Sequence, residues 1–197
     1  MGAMRGLALL VLCSCASFSR SAMPPHLVSG YVAPKLVKGK ATIEFIRPGI
    51  ALDTVLTLIT ETDGRFVANI PAEGRTRAFV EPGRRLLFVA GSRGAQFSHA
   101  MPLWIDVKPN KTYLVHIEVE DDEMNPTPVR PDRVRQWQHF RAWRDETRLY
   151  AVGDVPVEPV VSEEVCKRWY SGYSQRWNRE MDDAARLAHT LLPEDGH

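Results

Sequence analysis

Cysteine is scarce, with three in 197 residues, and two of these, Cys13 and Cys15, lie near the start. That excludes a small scaffold in which many disulfides replace a hydrophobic core. Net charge is scant as well, at +1. Arg5 is the one formal side-chain charge in residues 1–14, so without that segment acidic and basic residues balance at 24 each. Such a balance gives no general attraction to nucleic acid. A long apolar run is also missing. The stretch Gly6 to Leu12 makes a helix of about 10 Å, against a hydrocarbon core of about 30 Å. What remains is ordinary globular composition, 44% hydrophobic and 25% charged, in a chain long enough for one domain with an extension.

Arg5 and the terminal amine precede that apolar run, and small residues follow it, the three-part layout of a secretory signal. The stretch Leu12-Cys13-Ser14-Cys15 resembles the lipobox of bacterial lipoproteins, with Leu three before the lipidated cysteine and a small residue just before it. Cys13 departs from the Ala, Ser, Thr or Val usual at the middle position. The resemblance implies a signal peptide over residues 1–14 and lipid on Cys15. With Ala16 next rather than Asp, it also implies delivery to the outer membrane. The alternative is an ordinary signal cleaved near Ala16 or Ala22, which releases a soluble periplasmic or secreted protein. With Cys13 removed and Cys15 acylated, Cys166 is the remaining thiol and no intrachain disulfide can form. It reads as core filler within a helical pattern. Residues 15–26 read as a lipidated tether reaching about 35 Å at most.

From Leu27 to Glu120, short apolar runs alternate with turn dipeptides, the mark of an all-β domain. Candidate strands run over Leu27–Val32, Ala41–Arg47, Thr54–Glu61, Arg65–Ile70, Arg75–Val80, Arg84–Ala90, Met101–Val107 and Thr112–Glu120. In the last, Tyr113, Val115, Ile117 and Val119 face a core while His116, Glu118 and Glu120 face water. Asp63-Gly64, Pro82-Gly83 and Pro109-Asn110 mark turns. The fold class expected is an antiparallel β-sandwich of seven or eight strands over residues 27–120.

Residues 121–131 combine Asp121, Asp122 and Glu123 with Pro126, Pro128 and Pro131, which predicts a linker. Beyond it, Val134, Trp137, Phe140 and Trp143 recur at helical spacing. Val165, Trp169, Tyr173, Trp177, Met181 and Ala184 form a second stripe. Ser162 before Glu163 and Glu164 looks like the capped, acidic start of that second helix. Residues 132–192 are thus expected to form a C-terminal two-helix extension, folded as a hairpin.

Ala41-Thr42-Ile43-Glu44-Phe45-Ile46-Arg47-Pro48, Glu81-Pro82-Gly83-Arg84 and Lys108-Pro109-Asn110-Lys111-Thr112-Tyr113 resemble a family of bacterial lipoproteins with a β-sandwich domain of unknown function. The Pro-Gly turn is similar to that of surface-layer and carboxypeptidase-regulatory-like sandwich modules. The resemblance covers residues 41–119 and implies a sandwich but no activity.

Ala90-Gly91-Ser92-Arg93-Gly94 resembles a hydrolase nucleophile elbow, yet no helical pattern follows, so a loop between strands accounts for it. A hydrolase needs Ser92 to meet a base such as His99 or His116. His116, Glu118 and Glu120 with the acidic run after them match no zinc or calcium motif and read as a solvated face, so no metal or other cofactor is expected. Arg130, Arg133, Arg135, Arg141, Arg144 and Arg148 make the first helical stretch locally basic, suited to lipid headgroups or to internal pairing. Trp137, Phe140, Trp143, Trp169, Tyr173 and Trp177 are the candidate binding surface if exposed, and packing residues if buried.

The function expected is a non-enzymatic cell-envelope lipoprotein, a structural or protein-interaction module. Its partners would be the membrane, through the lipid anchor, and an envelope protein. The alternatives are a soluble periplasmic domain that binds glycan or a small ligand and, more distantly, a serine hydrolase.

Overall fold

The computed structural model describes residues 26–27, 36–49, 56–93, 96–97, 99–120, 123–130, 132–152, 160–179 and 181–197. The signal segment 1–14, Cys15 and the tether as far as residue 25 lie outside the described residues, as do 28–32 of the first candidate strand.

Two sheets share one core. Sheet A orders β1 (His26–Leu27), β11 (Arg148–Ala151), β5 (Gly74–Val80), β2 (Ala41–Arg47), β9 (Thr112–Glu120) and β10 (Glu123–Pro128). Sheet B orders β12 (Thr190–Leu191), β8 (Met101–Val107), β6 (Gly83–Arg93), β3 (Leu56–Glu61) and β4 (Phe66–Ile70), with the short β7 (Gln96–Phe97) beside β6. Ile43, Phe45, Val115 and Ile117 point inward from sheet A and meet Ile59, Leu87, Val89, Leu103 and Ile105 from sheet B. Full burial of each such side chain is worth about 1.5–3 kcal/mol. The sandwich expectation therefore holds in outline, with two corrections. The sheets are mixed, since β2 pairs β9, β5 pairs β11 and β8 pairs β12 in parallel. The strands also outnumber the seven or eight expected.

The turns take the backbone their residues imply. Gly64 and Gly83 have φ of 82° and 107°, and Asn110 has φ of 59°, conformations that Gly and Asn tolerate best. Gly64 has a second reason to lack a side chain: a Cβ there would stand 2.3 Å from the Val161 carbonyl oxygen.

The described part of residues 121–131, expected to be a linker, is largely a strand. Glu123–Pro128 form β10, antiparallel to β9, with Met124, Pro126 and Pro128 buried in alternation. The prolines are tolerated because β10 is an edge strand, with a free side on which no amide need donate. The tether expected over residues 15–26 loses its last residue to the sheet, since His26 pairs with Ala151.

The helical hairpin is corrected too. Helix α1 (Val134–Glu146) lies on the outer face of sheet A, where Phe140 and Trp143 pack on Ile46, Leu114 and Val129. Helix α2 (Glu163–Arg179) lies on the outer face of sheet B. After α2 come a short helix α3 (Asp183–Ala188), capped by Asp182, and β12. A buried ion pair fastens this end of the chain: Arg130 Nε lies 3.3 Å from Asp195 Oδ1, and its Nη2 donates to the Leu187 and Thr190 carbonyls.

Candidate functional site

The two outer faces hold the chemistry. On sheet B the face is apolar. Leu58, Phe66, Leu86, Phe88 and Ala90 receive Val161, Cys166, Trp169 and Tyr173 from α2 and its approach. Phe88 and Phe97 meet the Trp169 ring edge-on, each with centroids 5.8 Å apart, the geometry aromatic quadrupoles favour. The indole of Trp104 donates to the Tyr173 hydroxyl at 2.7 Å. Burial pushes the Cys166 thiol above its ordinary pKa, and the nearby Asp63 and Glu163 add to the shift. That is the opposite of a reactive thiolate. Beside this cluster Phe97, Trp169, Tyr173 and Trp177, with Arg168 and Glu123, bound a cavity of about 390 Å³.

On sheet A the outward residues of β2 run from polar to apolar: Thr42, Glu44, Ile46. At the apolar end Trp143 stacks on His116, with centroids 4.0 Å apart and planes 13° from parallel. Burial lowers the His116 pKa to about 4, so the ring is neutral at pH 7. At the polar end Glu44, 2% exposed, receives Arg77 Nε at 2.6 Å, Arg75 Nη1 at 3.3 Å and Arg144 Nε at 3.7 Å. Arg77 is its direct cross-strand partner on β5, and Arg144 descends from α1. Between sheet and helix is a recess of about 310 Å³, lined by Thr42, Glu44, Arg77, Arg141, Arg144 and His197. Burial, aided by Lys111 and Arg144, holds the His197 ring below its usual pKa, with Glu44 opposing.

The candidate binding surface does not form one patch. Phe140 is buried and Trp143 half-buried on sheet A, while Trp169 and Tyr173 are buried and Trp177 half-buried on sheet B. Trp137 belongs to α1, and its side chain lies outside the described residues. Ser92 sits inside β6, paired with Leu56 and Phe97 on its two neighbours, so no strand-turn-helix elbow raises it. His116, expected on a wet face, lies under Trp143, while Glu118 is exposed; Asp121 and Asp122 are outside the described residues. No group of three potential metal ligands is assembled among the described residues.

The residues that sequence reasoning passed over are Thr42, Glu44 and Arg77. One signal was available: Glu44 stands mid-strand among Ile43, Phe45 and Ile46, and a carboxylate so placed needs a partner if both faces are covered. Comparison with known proteins finds no matching family model and no similar curated protein.

Proposed function

We propose that this chain is a non-enzymatic cell-envelope lipoprotein, acylated at Cys15 and held on the periplasmic face of the outer membrane, where its sandwich acts as a structural or protein-interaction module. The observation that carries this is the order of residues 5–15: a basic residue, a short apolar run, then Leu12-Cys13-Ser14-Cys15. It is supported by the use made of Phe140, Trp143, Trp169 and Tyr173, which pack on the two outer faces of the sandwich. Metabolic labelling with a palmitate analogue tests it. Wild-type protein should take label and a Cys15→Ser variant should not; label retained by the variant would overturn the assignment.

The cavity of about 390 Å³ beside Trp169 and Tyr173 favours a second reading, a periplasmic domain that takes a small ligand. Its size and aromatic wall suit such a site. Quenching of tryptophan emission by a glycan panel, abolished in Trp177→Ala, is the expected result.

A further inference from the structure

We propose that the recess between α1 and the outer face of sheet A is a binding site for a small organic oxyanion, a carboxylic acid or a phosphate monoester. Its volume, about 310 Å³, lies at the lower end of the range for small-ligand sites. Cations exceed anions in and around it. Arg77, Arg141 and Arg144 line the recess and Arg75 backs it, against the single side-chain carboxylate of Glu44. A network whose sole task was to pin α1 to the sheet would need no such surplus. The planar, multi-donor guanidinium is matched in shape to carboxylate and phosphate oxygens.

A buried polar atom points the same way. Thr42 lines the recess at 2% exposure, and its Oγ1 has no hydrogen-bond partner among the described residues. Buried polar atoms of this kind are satisfied in nearly all folded proteins. An oxyanion held by Arg141 and Arg144 would bring acceptors to the Thr42 hydroxyl. The other wall is apolar, with Leu114, Phe140 and the exposed Leu36, and suits a hydrocarbon portion of the ligand. His197, uncharged at neutral pH, adds a hydrogen-bonding ring without a further charge. None of this depends on the Cys15 anchor.

Calorimetric titration of the full chain, purified in detergent at fixed ionic strength, tests the proposal with phenyl phosphate, benzoate and the neutral benzyl alcohol as probes. At least one acid should bind one-to-one and at least about tenfold more tightly than the alcohol, the factor expected from one charge-assisted hydrogen bond. The better acid identifies the ligand class. Arg141→Gln/Arg144→Gln, two exposed positions, should weaken that acid by about tenfold or more. Arg141→Gln alone leaves the Arg144 contact with Glu44 in place and should weaken it by a smaller factor, which guards against loss of α1 in the double variant. Thr42→Val should also weaken the acid. Acids binding no better than the alcohol, equal affinity in both arginine variants, or no heat from any probe would overturn the proposal.

Discussion

The two outer faces of the sandwich are each covered by one helix, yet they are covered by different physics. Under α2 the contact is aromatic on aliphatic, with Trp169 and Tyr173 set into Leu58, Leu86 and Phe88. Under α1 it is divided: Phe140 and Trp143 grip Ile46 and Leu114, and beside them Glu44 gathers three arginines around a recess. An apolar face gains free energy roughly with the area it buries and needs no paired donors and acceptors to do so. A charged one cannot close without paired donors and acceptors at each position, and leftover charge keeps it open to water or ligand. The difference explains why Trp169 and Tyr173 are buried against sheet B, while on the less conspicuous face a charged cluster borders a recess.

The comparison breaks most readily at Trp169. Trp169→Ala removes the centre of the α2 contact and should cost about 3–5 kcal/mol, as truncation of a buried Trp does, read by urea denaturation. Gln at position 44 tests the other face. Glu44→Gln leaves three guanidiniums without their carboxylate, and a loss of about 3 kcal/mol is expected, because a buried ion pair broken on one side strands the remaining charge. If Glu44→Gln costs nothing, the arginines are solvated and the contrast between the faces falls.

A pH series sharpens the same contrast at His116. Its folded pKa, about 4, lies below the ordinary value of 6.5 because of burial, so the unfolded chain takes up the proton first as pH falls. The stability associated with the neutral ring is fully present above about pH 6.5, declines between there and pH 4, and levels off below. The decline should be about 3 kcal/mol. It should be missing from the difference between wild type and His116→Leu if burial under Trp143 is not what holds the ring neutral. The smallest effect belongs to Lys167→Ala. Its 2.6 Å pair with Glu163 stands in water, with side chains 74% and 82% exposed. No measurable change in the unfolding midpoint is expected.

The strands were legible where one face was core. Ala41–Arg47, Met101–Val107 and Thr112–Glu120 have the bounds that apolar pattern and turn residues implied. Elements without such a signal were not. β10 reads as a linker because of Pro126 and Pro128, although Met124, Pro126 and Pro128 carry the period-two burial of a strand. β11 and β12 are four and two residues long, too short for periodicity to register, and pairing with a longer strand makes them strands. The helical stripes were visible, but the sheet each would cover was not. Phe140 and Trp169 present similar apolar residues at similar spacing, and pairwise helix packing explains that pattern as well as packing on a sheet does.

By itself the sequence determined the scarcity of cysteine, the β character of residues 41–120, the turns at Gly64, Gly83 and Asn110, and the apolar faces of two helices. These are local properties, set by backbone conformation and by the period of hydrophobicity along one segment. Only the tertiary structure decided that the sheets are mixed, that α1 and α2 lie on opposite faces, and that Glu44 meets Arg77 and Arg144 from β5 and α1. Those depend on which segments pair across long separations in the chain. The preference comes from closing one shared core, and no single stretch of residues carries it.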